Sequence, residues 1–135
     1  MPGRFEIRDH ITREALQAEP QTLFVFGDNL ARAGFGGQAR EMRGEPNAVG
    51  LPTKRRPTWE PTAFLADADL PAVTLAIHAD VRRLRDHLTQ GGTIVWPAAG
   101  IGTGRAQLAR RAPAIAAWYE RVRTYLERYA AGATP

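Results

Sequence analysis

The chain has 135 residues, of which 44% are hydrophobic and 24% charged, and this is enough for one domain with a buried core, spanning residues 1–135. It contains neither cysteine nor serine, which excludes disulfides, thiolate metal sites and the two commonest covalent nucleophiles of hydrolases, so any hydrolysis would use activated water, a carboxylate or a threonine. The net charge of +4 rests on arginine, with Lys54 as the only lysine, and it favours anionic partners.

Nothing in the sequence is typical of export or of a membrane span. It has no window of 18 or more apolar residues, and the polar residues 1–8 lack the apolar core of a signal peptide. We therefore expect a cytoplasmic protein with no membrane partner.

In the first half of the chain, predicted strands alternate with predicted helices. The strand-like segments are residues 5–8, 23–26 and 48–51, the last closed by Pro52. The helix-like segments are residues 12–18, capped by Thr12, and residues 37–43, ended by Gly44. Residues 23–26 are apolar throughout, which is typical of a strand that is buried on both faces.

The second half continues this alternation after a loop. Residues 55–69 contain Pro57, Trp59 and Pro61, and this composition predicts a surface loop. Residues 71–88 have apolar positions at helical spacing, which predicts a helix, and the apolar residues 94–97 predict a strand. A long helix is predicted to begin at Pro113 and to end in a flexible tail from about residue 130. The order predicts a three-layer α/β domain with a site at the carboxyl ends of its strands.

Two glycine-rich loops each follow an apolar strand and precede a helix-forming segment. The first glycine loop, residues 34–38, contains Gly34, Gly36, Gly37 and Gln38, and the second glycine loop, residues 100–104, reads Gly100, Ile101, Gly102, Thr103, Gly104. Glycine lets backbone amides turn toward a ligand, and a following helix would add the positive end of its dipole. We therefore predict that a diphosphate is held between the two loops. Neither loop fits the P-loop pattern or the dinucleotide fingerprint.

These segments resemble the macrodomain family. The asparagine Asn29 at a strand end before residues 34–37, the run Val95 to Gly104, and Asp9 to Thr12 after the first strand are similar in order to that family's motifs. The resemblance implies a three-layer α/β/α sandwich with a mixed central sheet. It also implies binding of ADP-ribose, and some members of the family hydrolyse ADP-ribosyl linkages.

The resemblance also implies roles for individual residues. Asp9 would accept a hydrogen bond from the adenine amino group, both glycine loops would wrap the diphosphate, and Asn29 would bind the distal ribose. If the chain is a hydrolase, Asp28 beside Asn29 is the nearest carboxylate that could orient a water. Gln38 and Ala39 stand where many hydrolytic members carry an aspartate, so a reader and a glycohydrolase both stay open.

Alternative readings accompany these assignments. Asp28 and Asn29 could form only a turn or a cap, and Lys54, a candidate ligand-binding residue, could be a solvated charge beside Arg55 and Arg56. We expect no cofactor and no metal, because the three histidines lack metal-ligand spacing. A second function class is a basic nucleic-acid-binding module using Trp59 and six arginines: Arg40, Arg43, Arg55, Arg56, Arg110 and Arg111.

Overall fold

A computed structural model describes residues 3–132, in which strands and helices alternate. The strands are β1 (Arg4–Arg8), β2 (Thr22–Asn29), β3 (Ala48–Lys54) and β4 (Thr93–Pro97). The helices are α1 (Arg13–Ala18), α2 (Ala39–Met42), α3 (Leu70–Ala76), α4 (His78–Thr89), α5 (Leu108–Arg111) and α6 (Pro113–Ala130). Two short 3-10 turns, Pro61–Ala63 and Asp67–Asp69, precede α3.

The four strands form one parallel sheet in the order β1-β4-β2-β3. The α/β class is therefore confirmed, but the expected mixed sheet is wrong for these strands. Each of β1, β2 and β3 is followed by a helical crossover that returns the chain to the same edge, and this connection makes the next strand parallel. The antiparallel pairing found within residues 3–132 is an isolated bridge between Lys54 and Phe64.

Helices cover both faces of the sheet. Phe24 and Phe26 of β2 point into an apolar cluster with α1 and α2. Their neighbours Leu23 and Val25 point into the larger cluster that α3 to α6 build on the opposite face. Since successive side chains of a strand alternate between faces, an uninterrupted apolar strand supplies both clusters.

Two strands run further than the sequence predicted. β2 continues past Phe26 through Gly27 and Asp28 to Asn29, and β3 continues through Pro52 to Lys54. Proline does not close β3 because β3 lies at the sheet edge, where one row of backbone groups has no partner strand.

The predicted helices are right in kind but differ in extent. Thr12 caps α1 through its hydroxyl, and α6 begins at Pro113, as expected. The single helix predicted over residues 71–88 is two helices, separated at the buried Ile77, and no glycine or proline marks that break. The predicted helix over residues 37–43 shrinks to the four residues of α2.

The segment predicted as a surface loop, residues 55–69, is partly core. Ala63, Phe64 and Leu65 are buried, because the short apolar run between prolines folds back under the sheet edge at the bridge to Lys54. Within residues 3–132, every helix is too short or too polar to span a bilayer. In the predicted tail, α6 extends to Ala130, and residues 133–135 lie outside the described residues.

Candidate functional site

A crevice opens where two central strands stop pairing. β2 and β4 pair only from Thr22 with Thr93 to Phe24 with Val95, whereas β2 runs on along β3 to Asn29. Beyond Phe24 the two strands no longer form a ladder, and the chain segments that leave their carboxyl ends enclose a cavity. Ligands of open parallel sheets bind at this kind of position.

Both glycine loops line that cavity, which has a volume of about 430 Å³. The structure brings together twelve of the thirteen sequence-predicted site residues in its lining: Asp28, Asn29, Gly34, Gly36, Gly37, Gln38, Lys54, Gly100, Ile101, Gly102, Thr103 and Gly104. Cavities of this size hold nucleotide-sized or drug-sized molecules.

Asp9 is the predicted site residue that lies elsewhere. It follows β1 at the same edge of the sheet, but it is not part of the cavity wall. Its carboxylate accepts a hydrogen bond from the backbone amide of His10 at 3.0 Å and its side chain is 76% exposed. The carboxylate is therefore solvated and already partly satisfied.

Most backbone amides of the two glycine loops have no hydrogen-bond partners among the described residues. Within the described chain, no amide of residues 34–38 or residues 101–104 donates a hydrogen bond to a protein acceptor. All of these residues except Ile101 are half-buried or exposed, so water can take these donors and a ligand can replace that water. The residues that carry them lie on the wall of one cavity.

Glycine is required where the second loop meets the sheet. Gly102 has a φ of +74°, and a Cβ at this position would come within 2.3 Å of the Leu108 side chain. The Gly102 amide nitrogen lies 3.5 Å from the position of a Cβ on Gly27. These contacts fix the second loop against the end of β2.

The helices after the loops contribute less than the sequence suggested. α2 and α5 have four residues each, a single turn, so little dipole accumulates along them. The donors at the cavity are therefore the loop amides themselves. The electrostatic contribution of the helix dipoles is smaller than the sequence suggested.

Lys54 places a cation on the cavity wall. The residue is only 9% exposed, and its Nζ lies 5.0 Å from the centre of the Trp59 ring and 4.6 Å from that of Phe64. Its Nζ donates to the carbonyl oxygen of Thr58, and no carboxylate in residues 3–132 pairs with it. Burial lowers the pKa of the Lys54 ammonium from its ordinary value of 10.5, and the guanidinium groups of Arg105 and Arg111 lower it further.

Arg105 adds a second cation where the loops face each other. A Cβ built on Gly36 would lie 2.4 Å from Nη1 of Arg105, so this guanidinium from the second loop's end reaches the first loop. Among the described residues it has no ion-pair partner. Arg105 is a site residue that was not predicted from the sequence, although its position directly after the last glycine of the second glycine loop was a usable signal.

Asp28 and Asn29 are committed to holding the first loop. Arg43 donates to Oδ1 of Asp28, to the carbonyl oxygen of Gly34 at 2.6 Å and to that of Ala33 at 3.1 Å. The Asn29 amide group donates to Ala33 at 2.8 Å, and its backbone amide donates to Asp28 Oδ1 at 2.8 Å. Both side chains therefore serve as anchors of the turn.

Asp28 is also the only acidic residue in the cavity wall, as far as residues 3–132 extend. Its side chain is 3% exposed and faces Arg43, with Arg32 at 3.5 Å on the other oxygen. No carboxylate in the cavity is left to orient a water. No cluster of three His, Asp or Glu side chains suited to a metal ion occurs in the described part of the chain.

Comparison with known proteins gives a family. The chain belongs to a family of unknown function, DUF7831, which matches residues 6–122. The DUF7831 match includes every residue of the cavity wall, from Gly27 to Ala106. Searches of curated proteins and of solved structures found no match.

Proposed function

We propose that the cavity binds the diphosphate of a nucleotide such as ADP-ribose, in a three-layer, macrodomain-like α/β/α domain. The observation that carries this proposal is the set of unpartnered amides on both glycine loops around one cavity. Oriented backbone N–H groups of this kind bind phosphate oxygens.

The charges around the cavity support an anionic ligand. Lys54 and Arg105 have no carboxylate partners within residues 3–132, and Asp28 is neutralised by its arginines. Lys54 is buried, and a buried cation without a counter-ion is costly in the free protein, so an anion that enters the cavity relieves that cost. Two donor loops with two cations suit two phosphate groups better than one.

The same geometry favours a reader over a hydrolase. Hydrolysis of an ADP-ribosyl linkage needs a group that orients or deprotonates water within hydrogen-bond distance of the reacting carbon. The sequence assigned that role to Asp28 with Asn29, but both side chains hold the first loop. We therefore propose binding without turnover. A test is release of free ADP-ribose from an ADP-ribosylated protein, which this proposal expects not to rise above background.

The arginines give less support to a nucleic-acid module. Arg43 holds the first glycine loop, Arg55 pairs with Asp69 at 2.5 Å, and Arg111 stacks on Phe64. Three of the six arginines named for that alternative are therefore used within the protein. Phosphate-backbone binding would also fall steeply with salt, whereas a partly buried diphosphate site would respond less.

Gly104 offers a clean test of the site. A Cβ on Gly104 would meet no atom within 4 Å, and its φ lies outside the left-handed region, so larger side chains fit without strain. We call residues 34–38 and 101–104, whose amides would bind the diphosphate, the phosphate cradle. Gly104→Glu places a carboxylate at this cradle, while the side chain in Gly104→Gln has nearly the same volume and no charge. We expect ADP-ribose binding, measured by titration calorimetry, to weaken at least about tenfold in Gly104→Glu, equivalent to about 1.4 kcal/mol. Binding by Gly104→Gln should stay within a few-fold of the unaltered protein.

Two results would count against the proposal. One is an unaltered protein that does not bind ADP-ribose, and the other is Gly104→Glu binding it as tightly as Gly104→Gln. Melting temperatures of both variants without ligand check that each is folded.

A further inference from the structure

We infer that the ligand's aromatic base stacks on Trp59 and Phe35 at the mouth of the cavity, rather than beside Asp9. This inference rests on the proposed function and deepens it, because it names the ligand as a base-bearing diphosphate. It also assigns the position of the base within the site.

The first observation is where the exposed aromatic rings lie. Phe35 is 64% exposed and Trp59 is 61% exposed, and both belong to the cavity wall. The other large apolar side chains that are exposed among the described residues, Ile7 and Leu75, lie away from the cavity. An aromatic ring turned to solvent beside a phosphate cradle is the arrangement by which proteins hold unstacked bases.

The second observation is that the two rings come from segments in contact. A Cβ on Gly34 would lie 2.7 Å from Cβ of Pro57, so the tip of the first loop rests against the segment that carries Trp59. Phe35 and Trp59 therefore lie within two residues of this contact, and both line the same cavity. Phe35 is itself a residue of the first glycine loop.

The third observation is that the Trp59 ring is held in place. Its centre lies 6.1 Å from that of Phe64 at an angle of 52°, and the Lys54 ammonium lies 5.0 Å from it. A ring supported on its inner side pays little conformational entropy when a base stacks on the outer side. The cation below the ring also draws its electron density inward, which favours an electron-rich purine on the outer face.

Asp9 fits the base less well. It lies outside the cavity wall, and its carboxylate accepts a hydrogen bond from the backbone amide of His10. A stacking platform also reads the ring face and not the hydrogen-bonding edge, so it should tolerate different bases. We therefore expect nucleotide diphosphates with adenine or guanine to bind with similar affinity.

The experiment compares two probes across matched variants. Inorganic pyrophosphate tests the cradle alone, and ADP-ribose tests cradle and base together. The variants are Trp59→Ala, Trp59→Phe, Phe35→Ala and Asp9→Ala, with Leu75→Ala as the control because Leu75 is 81% exposed and outside the cavity. Dissociation constants are measured by titration calorimetry, and melting temperatures check folding.

We expect Trp59→Ala and Phe35→Ala to weaken ADP-ribose at least about 5-fold, the low end of what one base stack contributes. Pyrophosphate binding should stay within about twofold in every variant. Trp59→Phe should keep most of the ADP-ribose affinity, because a phenyl ring can still stack. Asp9→Ala and Leu75→Ala should bind both probes like the unaltered protein.

Two results would overturn the inference while leaving the proposed function intact. One is ADP-ribose binding unchanged in both Trp59→Ala and Phe35→Ala, and the other is ADP-ribose binding weakened by Asp9→Ala with pyrophosphate unaffected. If neither probe binds the unaltered protein, the proposed function itself fails.

Discussion

The buried pair of Asp28 and Arg43 gives the sharpest prediction about stability. Arg43→Met leaves a carboxylate that is 3% exposed with only Arg32 at 3.5 Å and one backbone amide as partners. Breaking a buried ion pair costs about 3–5 kcal/mol, and the remaining partners put this case at about 3 kcal/mol. We therefore expect Arg43→Met to lower the free energy of unfolding by about 3 kcal/mol, measured by urea titration with linear extrapolation.

Removal of the Asp28 carboxylate should lower the free energy of unfolding by less than removal of the Arg43 guanidinium. In Asp28→Ala the Arg43 guanidinium keeps the carbonyl oxygens of Ala33 and Gly34, so we expect a loss of about 2 kcal/mol. In the double variant the two losses should not add, because neither group is then left unpaired, and the coupling should be about 1–2 kcal/mol. Arg123→Met is the control, since Arg123 pairs with a mostly exposed Glu120, and such pairs contribute at most about 1 kcal/mol.

Some results would contradict the role of the Asp28–Arg43 pair in holding the first glycine loop. A loss below about 1 kcal/mol in Arg43→Met, or losses that simply add in the double variant, would show that the pair does not hold the first loop. If the unaltered protein hydrolyses ADP-ribosyl linkages after all, and Asp28→Ala is fully stable but inactive, Asp28 has the catalytic role that the sequence suggested.

Two further predictions concern the cavity wall. Lys54→Met should raise the free energy of unfolding near pH 7 by about 1 kcal/mol, because it removes a buried cation without a carboxylate partner, and it should weaken ADP-ribose binding in titration calorimetry. Burial lowers the folded-state pKa of Lys54 below 10.5. At pH values between the folded-state pKa and 10.5, the unfolded chain binds more protons than the folded protein, so the free energy of unfolding rises with pH. Urea titrations should show this rise toward pH 10.5 in the unaltered protein but not in Lys54→Met. Gly102→Ala should lower the free energy of unfolding by about 3 kcal/mol, because the backbone at Gly102 is left-handed and the new Cβ would clash with Leu108. Gly104→Ala should change the free energy of unfolding by no more than about 0.5 kcal/mol. Equal stabilities of these two alanine variants would refute the account of the second loop.

The sequence predicted most of the elements because their signals are local. The apolar run at residues 23–26 and the cap at Thr12 both depend on neighbouring residues, and both segments fold as expected. The passage of β3 through Pro52 and the burial of Phe64 depend on the sheet edge, which is set by strand order. Strand order is a tertiary property, and no pattern within a short window records it.

The candidate site divides in the same way. Glycine spacing was enough to identify two loops whose residues line one cavity. The partner of Asp28 is 15 residues further along the chain, and nothing in the residues around Arg43 distinguishes it from the other arginines. The sequence therefore identified Asp28 as chemically interesting but could not tell an anchoring carboxylate from a catalytic one.

The anchoring of Asp28 bears directly on what the cavity can do. A carboxylate that is buried and held by a guanidinium would have to lose that partner before it could accept a proton from water. Losing it would also release the carbonyl oxygens of Ala33 and Gly34, and with them the conformation of the first glycine loop. The residue that the sequence suggested for activating water is thus one that holds the first glycine loop in shape. Under the proposed function, activation of water and support of the first glycine loop would compete for the same side chain, and the observed contacts of Asp28 and Arg43 support the loop.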